Sequence, residues 1–198
     1  MMWGFCIFAE NLTTNHAMNK FYHRVLTVIT FLFSNISAAN AESVWALVTD
    51  ASELKAGDQV IITARNYNYA IGTEADPTNN IRLQAILIEK QGKFCAINES
   101  VQIFTIQRGD SYFQFKTDKG YLATENHEDM PLGFNTSSSN KYTKWSVSID
   151  ITGKATIISN QGRIRYYISN KGYFKCYTNE GQSHDDVVIY KLTDTESI

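Results

Sequence analysis

The sequence has little proline and no surplus of positive charge. Two of its 198 residues are Pro and 11 are Gly, which leaves little room for a low-complexity linker. Its 18 Lys and Arg are balanced by 20 Asp and Glu, a net charge of -2 that argues against a nucleic-acid partner. With 43% apolar and 19% charged residues, the composition is globular and excludes a disordered, collagen-like or coiled-coil chain.

Long hydrophobic runs are also missing. The apolar stretch at residues 25–33 spans about nine residues, whereas a membrane-spanning helix needs about 20. It follows the basic residues Lys20 and Arg24 and precedes a small-residue site that ends at Ala41, which completes the three parts of a secretory signal peptide. We therefore predict a signal peptide at residues 18–41, cleavage after Ala41, and a secreted or periplasmic product without a stable membrane span.

The 17 residues before Met18 have no place in such a signal, because signal peptides open close to their charged region. This predicts that translation starts at Met18. No Cys lies near the cleavage site, which disfavours a lipid-anchored lipoprotein. Residues 42–192 are then expected to form one domain, followed by a short tail at residues 193–198.

Cysteine is scarce, with three in the sequence, and Cys6 lies upstream of the predicted cleavage site. The other two, Cys95 and Cys176, each lie in an apolar, strand-like run. Pairing in an oxidising compartment and burial as small apolar side chains both fit these positions. Spacing alone does not decide between the two, so the pairing stays open.

The part after residue 41 is rich in short segments where apolar and polar residues alternate. Trp145, Val147 and Ile149 alternate with polar neighbours, as do Phe113 and Phe115, which is the period of a half-buried strand. A helical period is confined to residues 51–56. Turn signals separate the strands at residues 55–58, 108–110, 118–120, 152–154 and 171–172. The pattern predicts an all-β fold.

A loose threefold repeat refines this prediction. Trp45, Phe104 and Trp145 each open a unit in which a hairpin follows and a Tyr-containing strand closes. The first unit is longer than the second, with extra sequence around residues 76–97. Three units of about four strands predict a β-trefoil after the N-terminal signal helix, with a β-sandwich as the alternative.

Six segments carry a recognisable combination of motifs, namely residues 45–62 (WALVTDASELKAGDQVII), 69–73 (YAIGT), 119–123 (KGYLA), 144–149 (KWSVSI), 174–177 (FKCY) and 188–191 (VIYK). Together they resemble a β-rich module of secreted proteins from Gram-negative gut and oral anaerobes. The resemblance covers nearly all of residues 44–192. Such modules often stand beside secreted enzyme domains. The resemblance implies a β-trefoil-like fold and brings no catalytic residues to this chain.

The sequence gives little evidence for a catalytic or metal-binding site. His127 lies among acidic residues at 125–129 and His184 precedes two Asp residues, yet neither spacing matches a zinc or calcium motif, and polar turns explain both. No nucleophile or phosphate-loop motif is present. The sequence leaves open whether two carboxylates form a pair for glycoside hydrolysis, because the fold and not the sequence spacing brings such a pair together. We therefore predict no catalytic residue, no metal and no cofactor.

Aromatic residues support a binding hypothesis. Sugars present apolar C–H faces beside hydroxyl groups, which an aromatic ring with polar neighbours can stack against and hydrogen-bond. Residues 65–69 and 163–167 combine Tyr with Arg or Asn. The alternative interpretation is that these tyrosines simply pack across strands. The predicted ligand-binding residues are Arg65, Tyr67, Tyr69, Arg165, Tyr166 and Tyr167.

The sequence thus favours an exported, non-catalytic β module that binds a glycan or another surface polymer. The alternative is a protein-interaction module, either a subunit of a surface assembly or an inhibitor that presents a rigid loop to a secreted enzyme. A hydrolase with an unrecognised acid pair is a third interpretation. Trefoils and sandwiches host all three functions, so the fold alone does not choose among them.

Overall fold

The chain folds into antiparallel β-strands joined by short turns, which confirms the all-β class that the alternating pattern predicts. The computed structural model describes residues 43–77, 79–124, 130–159, 162–169, 172–178, 181 and 183–194. The predicted signal peptide, the residues before it, His127 and residues 195–198 lie outside these ranges. Cleavage after Ala41 therefore stays a prediction.

The described residues form sixteen strands. They are β1 (Ser43–Leu47), β2 (Gln59–Ala64), β3 (Tyr69–Asp76), β4 (Asn79–Leu87), β5 (Glu89–Gln91), β6 (Phe94–Ala96), β7 (Phe104–Arg108), β8 (Phe113–Thr117), β9 (Gly120–Thr124), β10 (Leu132–Asn135), β11 (Ser146–Ile149), β12 (Lys154–Ser159), β13 (Gly162–Tyr167), β14 (Tyr173–Tyr177), β15 (His184–Asp185) and β16 (Val187–Asp194).

Helical structure within the described ranges is limited to two short 3₁₀ helices, Ala51–Glu53 and Lys141–Thr143. The side chains of Asp50 and Asn140 cap them, each accepting a hydrogen bond from the backbone N–H two residues further on, at 2.8 and 3.0 Å. The first helix matches the helical period of the sequence there. In the described part of the chain, no helix has the length and apolar character needed to cross a membrane.

Six strands close into a ring. β16 pairs with β2 and with β12, β2 pairs with β7, β7 pairs with β8, and β11 pairs with β12. The last joint lies between β8 and the start of β11, where Phe113 and Trp145 exchange backbone hydrogen bonds of 2.8 and 2.9 Å. Closing the ring pairs each of its strands on both sides, so the barrel has no free edge.

Three hairpins extend from this ring. β3–β4 follows β2, β9–β10 follows β8, and β13–β14 follows β12. Each unit consists of two ring strands and the hairpin that follows them. β7 and β8 precede β9–β10, β11 and β12 precede β13–β14, and β2 precedes β3–β4 with β16 as its second ring strand, so a unit of four strands occurs three times. This arrangement is a β-trefoil, as the threefold repeat predicted, and the β-sandwich alternative is not adopted.

The start of the first unit differs from the predicted repeat. Trp45 lies in β1, which is not a ring strand, because β16 occupies the place before β2. β1 pairs instead with the second half of β16 and with β6, so that Trp45 faces Cys95 in the register. β1 and the β5–β6 hairpin form an outer layer, and this hairpin lies in the extra sequence that lengthens the first unit.

Two hydrophobic clusters follow from this arrangement. The first fills the barrel and the space under the hairpins, and its largest fully buried side chains are Trp145, Tyr166, Phe104, Phe115 and Phe174. The second lies under the outer layer and comprises Trp45, Ile61, Ala70, Ile88, Cys95, Val101, Val188 and Tyr190. β2 is buried on both faces from Val60 to Ala64, which explains the apolar run at residues 60–62.

The two cysteines of the domain lie in different clusters, Cys95 in the second and Cys176 in the first. Both are free and buried. The structure therefore favours burial over pairing, the two possibilities that the sequence left open. Burial raises the pKa of each thiol to about 12, which keeps both protonated at neutral pH.

We expect both thiols to resist Ellman's reagent at pH 8 in the folded protein and to react once guanidinium unfolds it, because only the thiolate is nucleophilic. The assay uses the Cys6→Ser variant without reductant, so that Cys95 and Cys176 alone are counted. Rapid reaction in the folded state would contradict the burial. Absence of thiols in the unfolded, unreduced protein would reveal a disulfide.

Trp145 supports the joint between β8 and β11, and its substitution tests that joint. Its fully buried indole Nε1 donates a hydrogen bond of 2.9 Å to the carbonyl oxygen of Leu122. Trp145→Phe should lower the free energy of unfolding by about 2–4 kcal/mol, since it leaves a gap and an unpaired carbonyl. Chemical denaturation measures the change. Trp45→Phe is the matched control, and an equal loss in both variants would argue against the role of the hydrogen bond.

Candidate functional site

An open cleft of about 660 Å³ lies where the hairpins β3–β4 and β13–β14 meet. β4 pairs with β14 there, with Gln84 opposite Tyr173 and Leu83 opposite Phe174. The volume lies within the usual range of small-molecule sites. The cleft is lined by Tyr69, Asp76, Pro77, Arg82, Gln84, Ala85, Tyr167, Ser169, Gly172 and Tyr173.

Stacked rings form one wall of the cleft. Tyr167 and Tyr173 are opposite each other in the β13–β14 register, and their rings stack at 4.8 Å between centroids and 15° between planes. The guanidinium carbon of Arg82 lies 3.9 Å from the centroid of the Tyr173 ring, a cation–π contact. The wall is therefore a continuous stack contributed by both hairpins.

Polar groups line the same space. Arg82 Nε lies 2.9 Å from Asp76 Oδ2, an ion pair in which both side chains keep partial exposure. The Gln84 side chain donates a hydrogen bond of 3.1 Å from Nε2 to the carbonyl oxygen of Ala75. Together with Ser169, these groups place donors and acceptors beside the aromatic rings.

Tyr166 forms a packed support behind the cleft. It stacks on Tyr69 at 5.5 Å and 15°, and it contacts Tyr67 at 5.5 Å and Phe174 at 5.3 Å between centroids. Gly172 lies against its ring and hydroxyl, where any side chain would collide. Burial, followed by the neighbouring Tyr69, raises the pKa of Tyr166 to about 12, so its hydroxyl keeps its proton.

The loop at residues 65–68 is held from two sides although its side chains are exposed. Asp185 accepts hydrogen bonds from both the backbone N–H and the Nδ2 of Asn66, each 2.7 Å long. Lys90, from the β5–β6 hairpin, donates from Nζ to the carbonyl oxygens of Ala64 and, at 2.9 Å, of Tyr67. These contacts fix the backbone of the loop.

Lys90 reaches this loop from partly buried surroundings. Burial lowers its pKa to about 8, while the charge of Asp185 opposes the shift. At pH 7 the amine is therefore still mostly protonated and can donate to several carbonyl oxygens at once. The first-unit insertion thereby supports the loop that carries Tyr67.

The structure brings the four predicted tyrosines together, although the two segments are about a hundred residues apart. Tyr69 and Tyr167 line the cleft, and Tyr67 lies on the neighbouring loop with 38% of its surface exposed. Tyr166 is only 1% exposed, so it supports Tyr67 and Tyr69 from behind and has almost no surface for a ligand.

The two predicted arginines lie around Asp186 and Thr152 and not in the cleft lining. Arg165 is 5% exposed and its Nη2 lies 3.0 Å from Asp186 Oδ1, while Lys154 Nζ lies 2.8 Å from Oδ2 of the same carboxylate. Arg65 is exposed and donates from Nη2 to the hydroxyl of Thr152 at 3.1 Å. Burial within ion pairs makes direct ligand contact through Arg165 unfavourable.

Sequence reasoning missed Asp76, Arg82, Gln84 and Ser169 as lining residues, and it did not single out Tyr173. The signal that could have found them is the extra length of the first unit, since the segment that begins near Asp76 includes Arg82 and Gln84. Their partner Tyr173 comes from a hairpin about ninety residues away. No local pattern connects such distant positions.

Among the described lining residues, Asp76 is the one carboxylate, and it is paired with Arg82. A glycosidase uses two carboxyl groups about 5–9.5 Å apart across the scissile bond. The part of the chain that the structure describes contains no group of three or more His, Cys, Asp or Glu side chains placed to hold a metal ion. His127 is outside that part.

The ring of His184 packs against two tyrosine rings. It lies in β15 opposite Tyr167, with its ring 5.6 Å from that of Tyr167 and 3.8 Å from that of Tyr177. The residue is therefore in a short strand and not in the polar turn that the sequence indicated. Burial, followed by the positive charge of Arg165, lowers the pKa of His184, so the ring is neutral at pH 7.

Comparison with protein-family models and with curated protein sequences gives no match. Among solved structures, the chain is similar to ThreeFoil, a designed threefold-symmetric protein, with 14% identity and a TM-score of 0.47 over 66% of this chain and 96% of that one. It is also similar to a Polyporus squamosus lectin bound to the human-type influenza-binding epitope Neu5Acα2-6Galβ1-4GlcNAc.

The lectin is 10% identical to this chain, with a TM-score of 0.48, and the match covers 68% of this chain and 49% of the lectin chain. This chain thus spans about half the length of the lectin. The β-trefoil assignment rests on the strand pairing described above.

The lowered pKa of His184 predicts that the stability of the fold depends on pH. A histidine whose pKa is lower in the folded than in the unfolded state binds fewer protons when folded, so acid favours unfolding. The free energy of unfolding should therefore fall as the pH drops below about 6.5, the ordinary pKa of histidine. Denaturation of the protein and of His184→Phe between pH 7.5 and 5.5 tests this. If the free energy of unfolding changes equally with pH in both proteins, His184 is not the source of the pH dependence.

Proposed function

We propose that the protein is an exported, non-catalytic module that binds carbohydrate in the cleft between β3–β4 and β13–β14. The observation that carries the proposal is the combination of tyrosine rings with an Asp–Arg pair, a Gln and a Ser in one open cleft of about 660 Å³. The proposed partner is a glycan or another surface polymer, and no cofactor is involved.

The chemistry of the lining suits a saccharide. A pyranose ring has an apolar C–H face that packs on an aromatic ring, and its hydroxyl groups donate and accept hydrogen bonds at the rim. Tyr69 offers a ring, while Asp76, Arg82 and Gln84 offer acceptors and donors within the same cleft. A purely apolar ligand would displace water from these partly exposed polar groups without offering hydrogen bonds in return, which costs free energy.

Two further considerations support the remaining parts of the proposal. The signal peptide predicted at residues 18–41 supports a secreted or periplasmic location, where surface polymers are accessible. The lining contributes one carboxylate from the described residues, whereas glycoside hydrolysis by an acid pair requires two. Binding without cleavage is therefore the simpler function for this cleft.

A glycan array with the purified protein tests the proposal. We expect binding to a defined set of saccharides and a loss of about tenfold or more in affinity for Tyr69→Ala, because the stacking surface is removed. Tyr112→Ala is the matched control, since Tyr112 packs on Gly109 in the β7–β8 turn and does not line the cleft.

Circular dichroism and thermal unfolding establish that both variants are folded. A blank array, or equal losses in the two variants, would contradict carbohydrate binding in this cleft. A pull-down from secreted proteins would then test the alternative of a protein-binding module. Release of reducing ends from a bound glycan would contradict the non-catalytic part of the proposal.

A further inference from the structure

The tyrosines of the cleft are not equivalent as stacking surfaces. Tyr173 has Arg82 at 3.9 Å from its ring centroid and Tyr167 stacked at 4.8 Å. Tyr167 in turn packs against Tyr173 and, at 5.6 Å, against His184. Each of these two rings therefore already packs against two protein groups.

Two other tyrosines keep ring surface for a ligand. Tyr69 lines the cleft, packs partly against the core and, among the described aromatic residues, contacts the ring of Tyr166. Tyr67 is 38% exposed and also contacts Tyr166. Each ring centroid lies 5.5 Å from that of Tyr166, so Tyr67 and Tyr69 are no further apart than twice that distance. Both rings therefore contact the same buried support, Tyr166.

The loop that carries Tyr67 is held in place before any ligand arrives. Asp185 binds Asn66 through two hydrogen bonds of 2.7 Å, and Lys90 donates to the Tyr67 carbonyl oxygen at 2.9 Å. The backbone N–H of Ile88 donates to the carbonyl oxygen of Asn68 at 3.0 Å. A loop that is already ordered loses little conformational entropy on binding, which favours a binding role for its exposed ring.

From these contacts we infer that the binding site extends from the cleft onto the 65–68 loop and takes two consecutive sugar rings, one on Tyr69 and the next on Tyr67. The inference rests on the proposed function and adds a ligand class, namely an oligosaccharide in place of a single sugar. Tyr166 acts as a positioning residue that holds both rings, and Tyr167 and Tyr173 shape the wall.

The experiment measures dissociation constants by titration calorimetry for the best-binding oligosaccharide of the glycan array and for its shorter fragments down to the monosaccharide. We expect the affinity to rise about tenfold from one sugar to two, the contribution of a second stacking ring. Tyr67→Ala should reduce this gain to less than about twofold.

Three further variants make the test specific. Tyr67→Phe keeps the ring and should retain the dependence on chain length. Tyr69→Ala should weaken the monosaccharide and the oligosaccharide alike, and Tyr112→Ala should change neither. Tyr67 is exposed, and Tyr112 lies outside the cleft. We expect the variants at these two positions to fold, which thermal unfolding verifies.

The outcomes separate the two proposals. A blank array overturns carbohydrate binding and this inference together. Monosaccharide binding as tight as oligosaccharide binding, or an unchanged dependence on chain length in Tyr67→Ala, overturns the two-ring site and leaves carbohydrate binding intact. A rise in affinity from one sugar to two that depends on the Tyr67 ring supports the extended site.

Discussion

The pairing of β16 with β2 on one side and with β12 on the other closes the barrel, and the candidate site depends on this closure. It joins the last strand of the chain to the first ring strand and thereby brings the β13–β14 hairpin beside β3–β4, where β14 pairs with β4. The cleft exists only at this junction of first and third units. Loss of closure would separate its walls even if every hairpin stayed intact.

The trefoil is also asymmetric, and the asymmetry coincides with the candidate site. The first unit carries the β5–β6 hairpin, which together with β1 covers the outer face of β2 and creates the second hydrophobic cluster. From that hairpin Lys90 reaches the 65–68 loop and binds its carbonyl oxygens. An addition to the scaffold therefore stabilises an exposed loop, at an energetic cost visible in the lowered pKa of Lys90.

Much of the fold could be predicted from the sequence, but much less of the site. Alternation at Phe113 and Trp145 predicts strands because a period of two is a local property. Composition indicates the segments with Tyr67 and Tyr166, yet Tyr166 is buried, and no sequence motif marks the lining residues Asp76 and Arg82. Exposure of a strand residue depends on what packs against each face, which the pattern of its own strand does not contain.

The all-β class and the turns can be inferred from the sequence, since they follow from backbone preferences over a few residues, and the threefold repeat follows from the recurrence of Trp45, Phe104 and Trp145 along the chain. Two features arise only in the folded barrel: β16, and not the strand of Trp45, completes the ring, and Tyr69 meets Tyr173 in one cleft. Closure of the ring pairs β16 with β2, whose residues lie more than 120 positions apart in the chain. Such contacts are selected by the packing of the whole barrel and not by any local segment.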